Sequence, residues 1–215
     1  MAEERGAEEY LPDRLNLTAL REAVQSCKGC DLYKRATQAV FGEGRARSQL
    51  MLVGEQPGDE EDKQGRPFVG PAGRVLGKAL EEVGIDREEA YVTNIVKHFK
   101  WVRGTGDRRY HKQPSLFEVR ACSPWFEAEI EVIRPKVIVA LGATAAKALI
   151  GSDFRVSKQR GEWVDSDLAH YVTATVHPSS ILRQQTDQDR KRAMRAFVED
   201  LEKVAEVLNG AAKHG

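Results

Sequence analysis

The sequence predicts an α/β fold: a three-layer α/β/α sandwich around a central, mainly parallel four-stranded sheet. Two observations carry this. Four short apolar runs read as buried strands, and helical periodicity fills the chain between them. The 215 residues suit one domain spanning 1–215 and are enough to bury a core. Within it, 1–13 reads as a loose, acidic and polar extension with none of the marks of a signal peptide.

Residues 15–26 have helical spacing and end at CKGC (27–30). The run at 49–54, QLMLVG, is the first strand, followed by a long loop, GEQPGDEEDKQGRPFVGP. A helix spans 71–84, with Pro71 near its first turn and Gly84 near its end. Residues 90–96 form the second strand. Residues 115–135 are helical in period, with Pro124 as a kink or a break. The third strand is 136–142, continued as a helix by ATAAKALIG. FRVSKQRGEWV (154–164) suggests a hairpin, 171–178 the fourth strand, and Asp187 to about Leu208 a charged amphipathic helix.

Composition narrows the function classes. Hydrophobic content is 41% and charged content 31%, with no apolar run of membrane-span length. Three cysteines make no disulfide framework, so the expected compartment is the reducing cytoplasm. Formal net charge is zero, which argues mildly against a nucleic-acid protein. Its distribution argues the other way: residues 97–112 hold six Lys or Arg against one Asp, and the acids gather near the N-terminus and in DEED at 59–62.

Three strands end in polar motifs, and ligands of open parallel sheets bind beyond the carboxyl ends of strands. Glu55, Gln56, Asn94 and His177 should therefore converge. In GEQPG (54–58), Gly54 permits close backbone approach, Glu55 suits a developing cation or a base, and Gln56 can orient a group at the same centre. The alternative is a solvated surface turn. Phe68, in GRPFVGPAG, either stacks on a planar ligand or caps the core. Asn94 offers a donor and an acceptor for a base edge, or bonds its own loop. In HPSS (177–180), His177 can donate to an oxyanion and Ser179 can cap a turn or touch a phosphate; a bystander histidine is the other reading. Cys27 and Cys30 form a metal half-site or redox pair that His98 and Cys122 can complete, as zinc or as an iron–sulfur cluster. Basic loops such as GTGDRRYHKQP (104–114) are most often solvated surface, with any histidine passive.

Together these motifs resemble the uracil-DNA glycosylase superfamily, closest to its iron–sulfur branch and, within that, to the X group. The resemblance runs from CKGC to HPSS: GEQPGDEED, whose Gln56 points to the X group, GRPFVGPAGR with Phe68, YVTNIVKHFK with Asn94, and DRRYH (107–111), similar to the inserted basic loop of that group. It implies excision of uracil from DNA, followed by attack of His111 on the deoxyribose C1′, leaving protein and DNA covalently joined. Glu55, Gln56 and His177 are then catalytic. Gly54, Asp59, Phe68 and Asn94 hold the base, and Arg108, Arg109, Lys112 and Ser179 meet the DNA, with Arg109 also positioning the loop. Asp107 and Tyr110 depart from the family's usual Lys and Ile. A 4Fe–4S cluster on Cys27, Cys30, His98 and Cys122 is implied, as is a monomer acting on uracil-containing DNA, preferably single-stranded. The rivals are an ordinary turnover uracil glycosylase, in which His111 only binds DNA, and a non-catalytic module for uracil-containing or single-stranded DNA.

Overall fold

The computed structural model describes residues 6–211. A fully parallel sheet of β1 (Leu50–Gly54), β2 (Tyr91–Asn94), β5 (Val137–Leu141) and β6 (Tyr171–Thr175) runs in the spatial order β2-β1-β5-β6. The expected four-stranded sandwich is the observed fold. The strands are buried on both faces, which is why they read as unbroken apolar runs rather than alternating ones.

Successive residues feed two separate cores. Met51, Val53, Ile138 and Ala140 face α1 (Leu17–Ala23) and α4 (Leu116–Ile133), where Leu20, Trp125 and Phe126 pack. Leu50, Leu52, Val139 and Leu141 face α3 (Pro71–Glu82) and α8 (Asp187–Ala211), through Leu76, Leu80, Phe197 and Leu201. The chain moves from β1 to β2 on one side and later to β5 on the other. The carboxyl ends of β1 and β5 therefore flank the switch in strand order, the usual crevice of such sheets.

Several expectations are corrected. Residues 6–13 are not loose: Ala7 is completely buried in the α1/α4 core, and Glu8–Tyr10 form a 3₁₀ turn; residues 1–5 lie outside the described residues. Pro124 does not divide α4, which is continuous and capped by Ser115 and Glu118. Pro124 is in the third turn of a long amphipathic helix whose buried residues Val119 to Ile133 hold it together. At 154–164 there is no hairpin. Val156–Gln159 form the short helix α6, and a single antiparallel bridge joins Val164 to Val172. The long loop after β1 contains α2 (Asp59–Gln64). The basic loop is a hairpin, with β3 (Trp101–Arg103) antiparallel to β4 (Arg109–His111) and Gly104 N–H donating to the Arg108 carbonyl across the turn. Among the described residues no helix is long and apolar enough to cross a membrane.

Candidate active site and cysteine cluster

Register brings the first two motifs together. Gly54 pairs with Asn94, and the next residues stay locked, with Ile95 and Val96 N–H donating to the carbonyls of Gly54 and Glu55. Asn94 is 2% exposed, and its Oδ1 is the one buried side-chain polar atom without a hydrogen-bond partner among the described residues. A buried acceptor costs about 1–3 kcal/mol when unmatched, so such an atom points to a ligand that brings a donor. A Cβ on Gly54 would lie 2.3 Å from Asn94 Oδ1 and 2.7 Å from Phe68 Cζ. Gly54 is glycine because the carboxamide and the phenyl ring need that space. Gly54→Ala is expected to cost about 1–3 kcal/mol of stability by overpacking and to weaken ligand binding at the strand ends at least as much; unchanged binding with a normal melting temperature would contradict the crowding.

Phe68 has φ 55°, a left-handed backbone that a bulky residue rarely adopts. The neighbouring segment approaches so closely that a Cβ on Gly73 would lie 1.7 Å from the Phe68 carbonyl oxygen. Glu61 ties this loop to the first motif, accepting from Gly58 N–H at 3.1 Å and Gly70 N–H at 2.7 Å. The Phe68 ring sits 5.9 Å from that of His177, tilted by 32°.

His177 caps α7 (Pro178–Leu182). Its Nδ1 accepts the Ser179 backbone N–H at 3.2 Å and faces Ser179 Oγ at 2.8 Å. A nitrogen accepting an amide proton is unprotonated, so the ring's proton is on Nε2, which is left to donate. Burial pushes its pKa down to about 4, with Glu55 opposing. His98 is also buried and pushed down to about 4 by burial, with Asp62 opposing. For His177 the folded pKa lies below the unfolded value near 6.5, so protons favour the unfolded chain. Stability is full above about pH 6.5 and is expected to fall as the pH drops towards 4. Thermal unfolding at pH 7 and pH 4.5 checks this; equal midpoints would contradict it.

Glu55 follows β1 directly. His111 Nε2 is 3.2 Å from its Oε1, and the Thr144 hydroxyl donates to Oε2. Burial would raise the Glu55 carboxyl; the hydrogen bonds from His111 and Thr144 outweigh it and hold the pKa below the ordinary glutamate value. An ionised carboxylate thus faces the loop histidine, which is 51% exposed and rests against Phe99. Alternation along β4 explains the placement: Arg109 and His111 share the face of the hairpin turned towards α2 and Glu55, while Tyr110, paired with Val102, lies on the other face.

The hairpin is anchored at several points, among them Trp101 Nε1–H, which donates to the Arg35 carbonyl at 2.9 Å. Arg109 donates to Asp59 and, at 2.6 Å, to Asp62, and lies over Phe99 and Trp101. The Gln56 carboxamide is spent at the hairpin's base, donating to the carbonyls of Lys100 and Lys112 and accepting from Lys100 N–H, each at 3.1 Å. Gln113, just past β4, donates to Thr144 Oγ1 at 2.8 Å. Three expected roles change accordingly. Gln56 braces the loop rather than touching the reacting centre, Asp59 holds Arg109 rather than substrate, and Arg109 is committed to carboxylates rather than to phosphate. Arg108 and Lys112 remain exposed. Ser179 Oγ, between His177 and Arg183, accepts from Arg183 Nη1 at 3.0 Å. Sequence reasoning missed Thr144, Glu61 and Asp62: Thr144 sits in an ordinary helical stretch and Glu61 and Asp62 in an acidic run without apolar period, and their roles come from contacts that no local pattern shows.

The cysteines cluster on the α1/α4 face. Cys27, Cys30 and Cys122 are free thiols close enough to influence one another electrostatically. Burial pushes Cys122 up to about 12 and also raises Cys30. Trp125 Nε1–H points at Cys27 Sγ (3.2 Å) and Lys97 N–H at Cys122 Sγ (3.3 Å). Donors aimed at sulfur suit thiolates bound to a cation, and a neutral buried imidazole suits metal ligation. No three His, Cys, Asp or Glu side chains among the described residues converge as a single-ion site. A four-iron cube asks instead for separated donors, one to each iron, and the three thiols share one largely buried, apolar face.

Comparison with known proteins places these features. The profile of the uracil DNA glycosylase superfamily matches residues 41–202. The type-4 uracil-DNA glycosylase of Thermotoga maritima is 42% identical over 183 residues, covering 85% of this chain and 89% of its own. That of Saccharolobus solfataricus is 33% identical over 202 residues, covering 90% and 87%. Wild-type SMUG2 of Pedobacter heparinus shares the fold at a TM-score of 0.51 and 12% identity, over 76% of this chain and 77% of its own. With Glu55, Asn94 and His177 gathered at the strand ends and the profile spanning the whole sheet, the chain belongs to the uracil DNA glycosylase superfamily.

Proposed function

We propose that this protein excises uracil from DNA and then joins itself to the resulting deoxyribose through His111. The orphaned, buried Oδ1 of Asn94 carries the base-recognition half. Uracil offers an N3–H donor to that acceptor, and Phe68 supplies a face for the ring. The base must leave its stack to reach this depth, which costs less in a single strand, the expected substrate.

Glycosidic cleavage passes through a cationic sugar. Ionised Glu55 stabilises it, and the Nε2–H of neutral His177 takes the charge that gathers on uracil O2. The C1′–N1 bond breaks with its electron pair leaving on uracil. His111 gives its Nε2 proton to Glu55 Oε1, and the freed lone pair forms the Nε2–C1′ bond. The site begins with one negative charge on Glu55 and ends with one on the departing uracil. The 3.2 Å contact between His111 and Glu55 supports this order of events. Arg108 and Lys112 supply phosphate contacts that weaken with salt. Cys27, Cys30, Cys122 and His98 would hold a 4Fe–4S cluster, whose contribution is to brace this face.

Release of free uracil tests the recognition half. The protein should liberate base from a uracil oligonucleotide and none from its thymine counterpart. Tight binding without base release would favour the non-catalytic module.

A further inference from the structure

We propose that Thr144 is a positioning residue that sets how the sugar cation is shared between His111 and water. The inference rests on the capture chemistry above and concerns a residue at the head of α5 (Ala143–Leu149) that no motif identifies.

The Thr144 hydroxyl has one proton and gives it to Glu55 Oε2; its oxygen accepts from Gln113 Nε2 at 2.8 Å. These two contacts connect three segments. Glu55 follows β1, Thr144 follows β5, and Gln113 lies two residues beyond His111. One hydroxyl therefore fixes which carboxylate oxygen faces His111 and anchors the chain that delivers it. With Oε2 occupied, Oε1 is left to the imidazole, 3.2 Å away. The other anchors grip the hairpin elsewhere: Gln56 at its base, Arg109 on α2, and Trp101 on the Arg35 carbonyl.

His111 is half exposed, so water can reach the same side of Glu55. Capture wins only while the imidazole stays within reach of C1′ for the short life of the cation. Misplacement by about 1 Å at such a centre costs up to roughly a hundredfold. Loosening the Thr144 contacts should therefore shift the outcome towards free abasic DNA, beyond any effect on base release.

The experiment compares Thr144→Val, Thr144→Ser and Gln113→Leu with the wild type on a single-stranded uracil oligonucleotide. Total uracil released and the fraction of DNA covalently bound are both measured. Val keeps the shape and removes the hydroxyl. It should lower the bound fraction per uracil released by roughly ten- to hundredfold, the equivalent of one hydrogen bond to a charged group. Gln113→Leu should lower it less, and Ser should restore it. The acidic limb of base release should also move to higher pH in the Val variant, because Glu55 loses a hydrogen bond that favours its ionised form. A bound fraction unchanged in Val, with circular dichroism and melting as in the wild type, would overturn the role of Thr144. Equal losses in Ser and Val would do the same, by indicating a packing effect. A wild type that releases uracil without forming any adduct would instead overturn the capture chemistry itself, and the inference with it.

Discussion

Serine in place of His111 is expected to abolish the covalent protein–DNA product while uracil continues to be released. In the proposed reaction His111, placed 3.2 Å from Glu55, is the nitrogen nucleophile, and serine is too short to take its place. The groups assigned to base release remain: Asn94 on the strand end, Phe68 beside it, and His177 with its Nε2 proton. Loss of the imidazole removes one hydrogen bond from Glu55. That should slow release by up to about tenfold, or roughly 1.4 kcal/mol. The expected product is free, alkali-cleavable abasic DNA. Retained covalent capture in this variant would remove His111 from the account.

Lys97→Met is expected to cost about 3–5 kcal/mol of stability, the usual penalty for breaking a buried ion pair. Lys97 and Glu129 are both fully buried and 2.6 Å apart. Glu129 also accepts from the Tyr91 hydroxyl, Thr93 Oγ1 and Gly42 N–H, while Lys97 Nζ donates to Thr93 Oγ1 and to the Asn94 carbonyl. Removing the ammonium leaves a carboxylate unpaired in the core and frees the main chain beneath the base-reading residue. The double variant Lys97→Met with Glu129→Leu should recover only part of the loss, because Tyr91, Thr93 and Gly42 would keep donors without acceptors. Denaturant unfolding of both variants checks this. A single variant as stable as the wild type would show that water or a rearranged partner already satisfies Glu129.

What was legible in the sequence follows from what is local. The four parallel strands were readable because both faces of each are covered, leaving runs such as LMLVG and VIVAL. Glu55, Asn94 and His177 followed from the rule that strand ends share a crevice. α2 was not readable: DEEDKQ has no apolar period. Its capping comes from Glu61 turning back to Gly58, and the acids of its first turn suit a helix N-terminus. The hairpin at 101–111 was hidden for a similar reason. Its strands are three residues long, and the alternation that puts His111 and Tyr110 on opposite faces is too brief to stand out. The hairpin expected at 154–164 failed because the polar segment Arg155–Gln159 closes on itself, with Arg155 N–H donating to Gln159 Oε1. The motif predicts that Gln56 and Asp59 face the ligand. Only the folded hairpin shows that their polar atoms are already taken.

The central claim is that the loop histidine ends the reaction joined to DNA. The most direct measurement is a denaturing gel of the protein with a labelled single-stranded oligonucleotide carrying one uracil, heated in SDS beside a thymine control. The account predicts a uracil-dependent band at the summed mass of protein and DNA, absent with thymine. Alkali-cleavable DNA without any such band would contradict it and leave an ordinary turnover glycosylase.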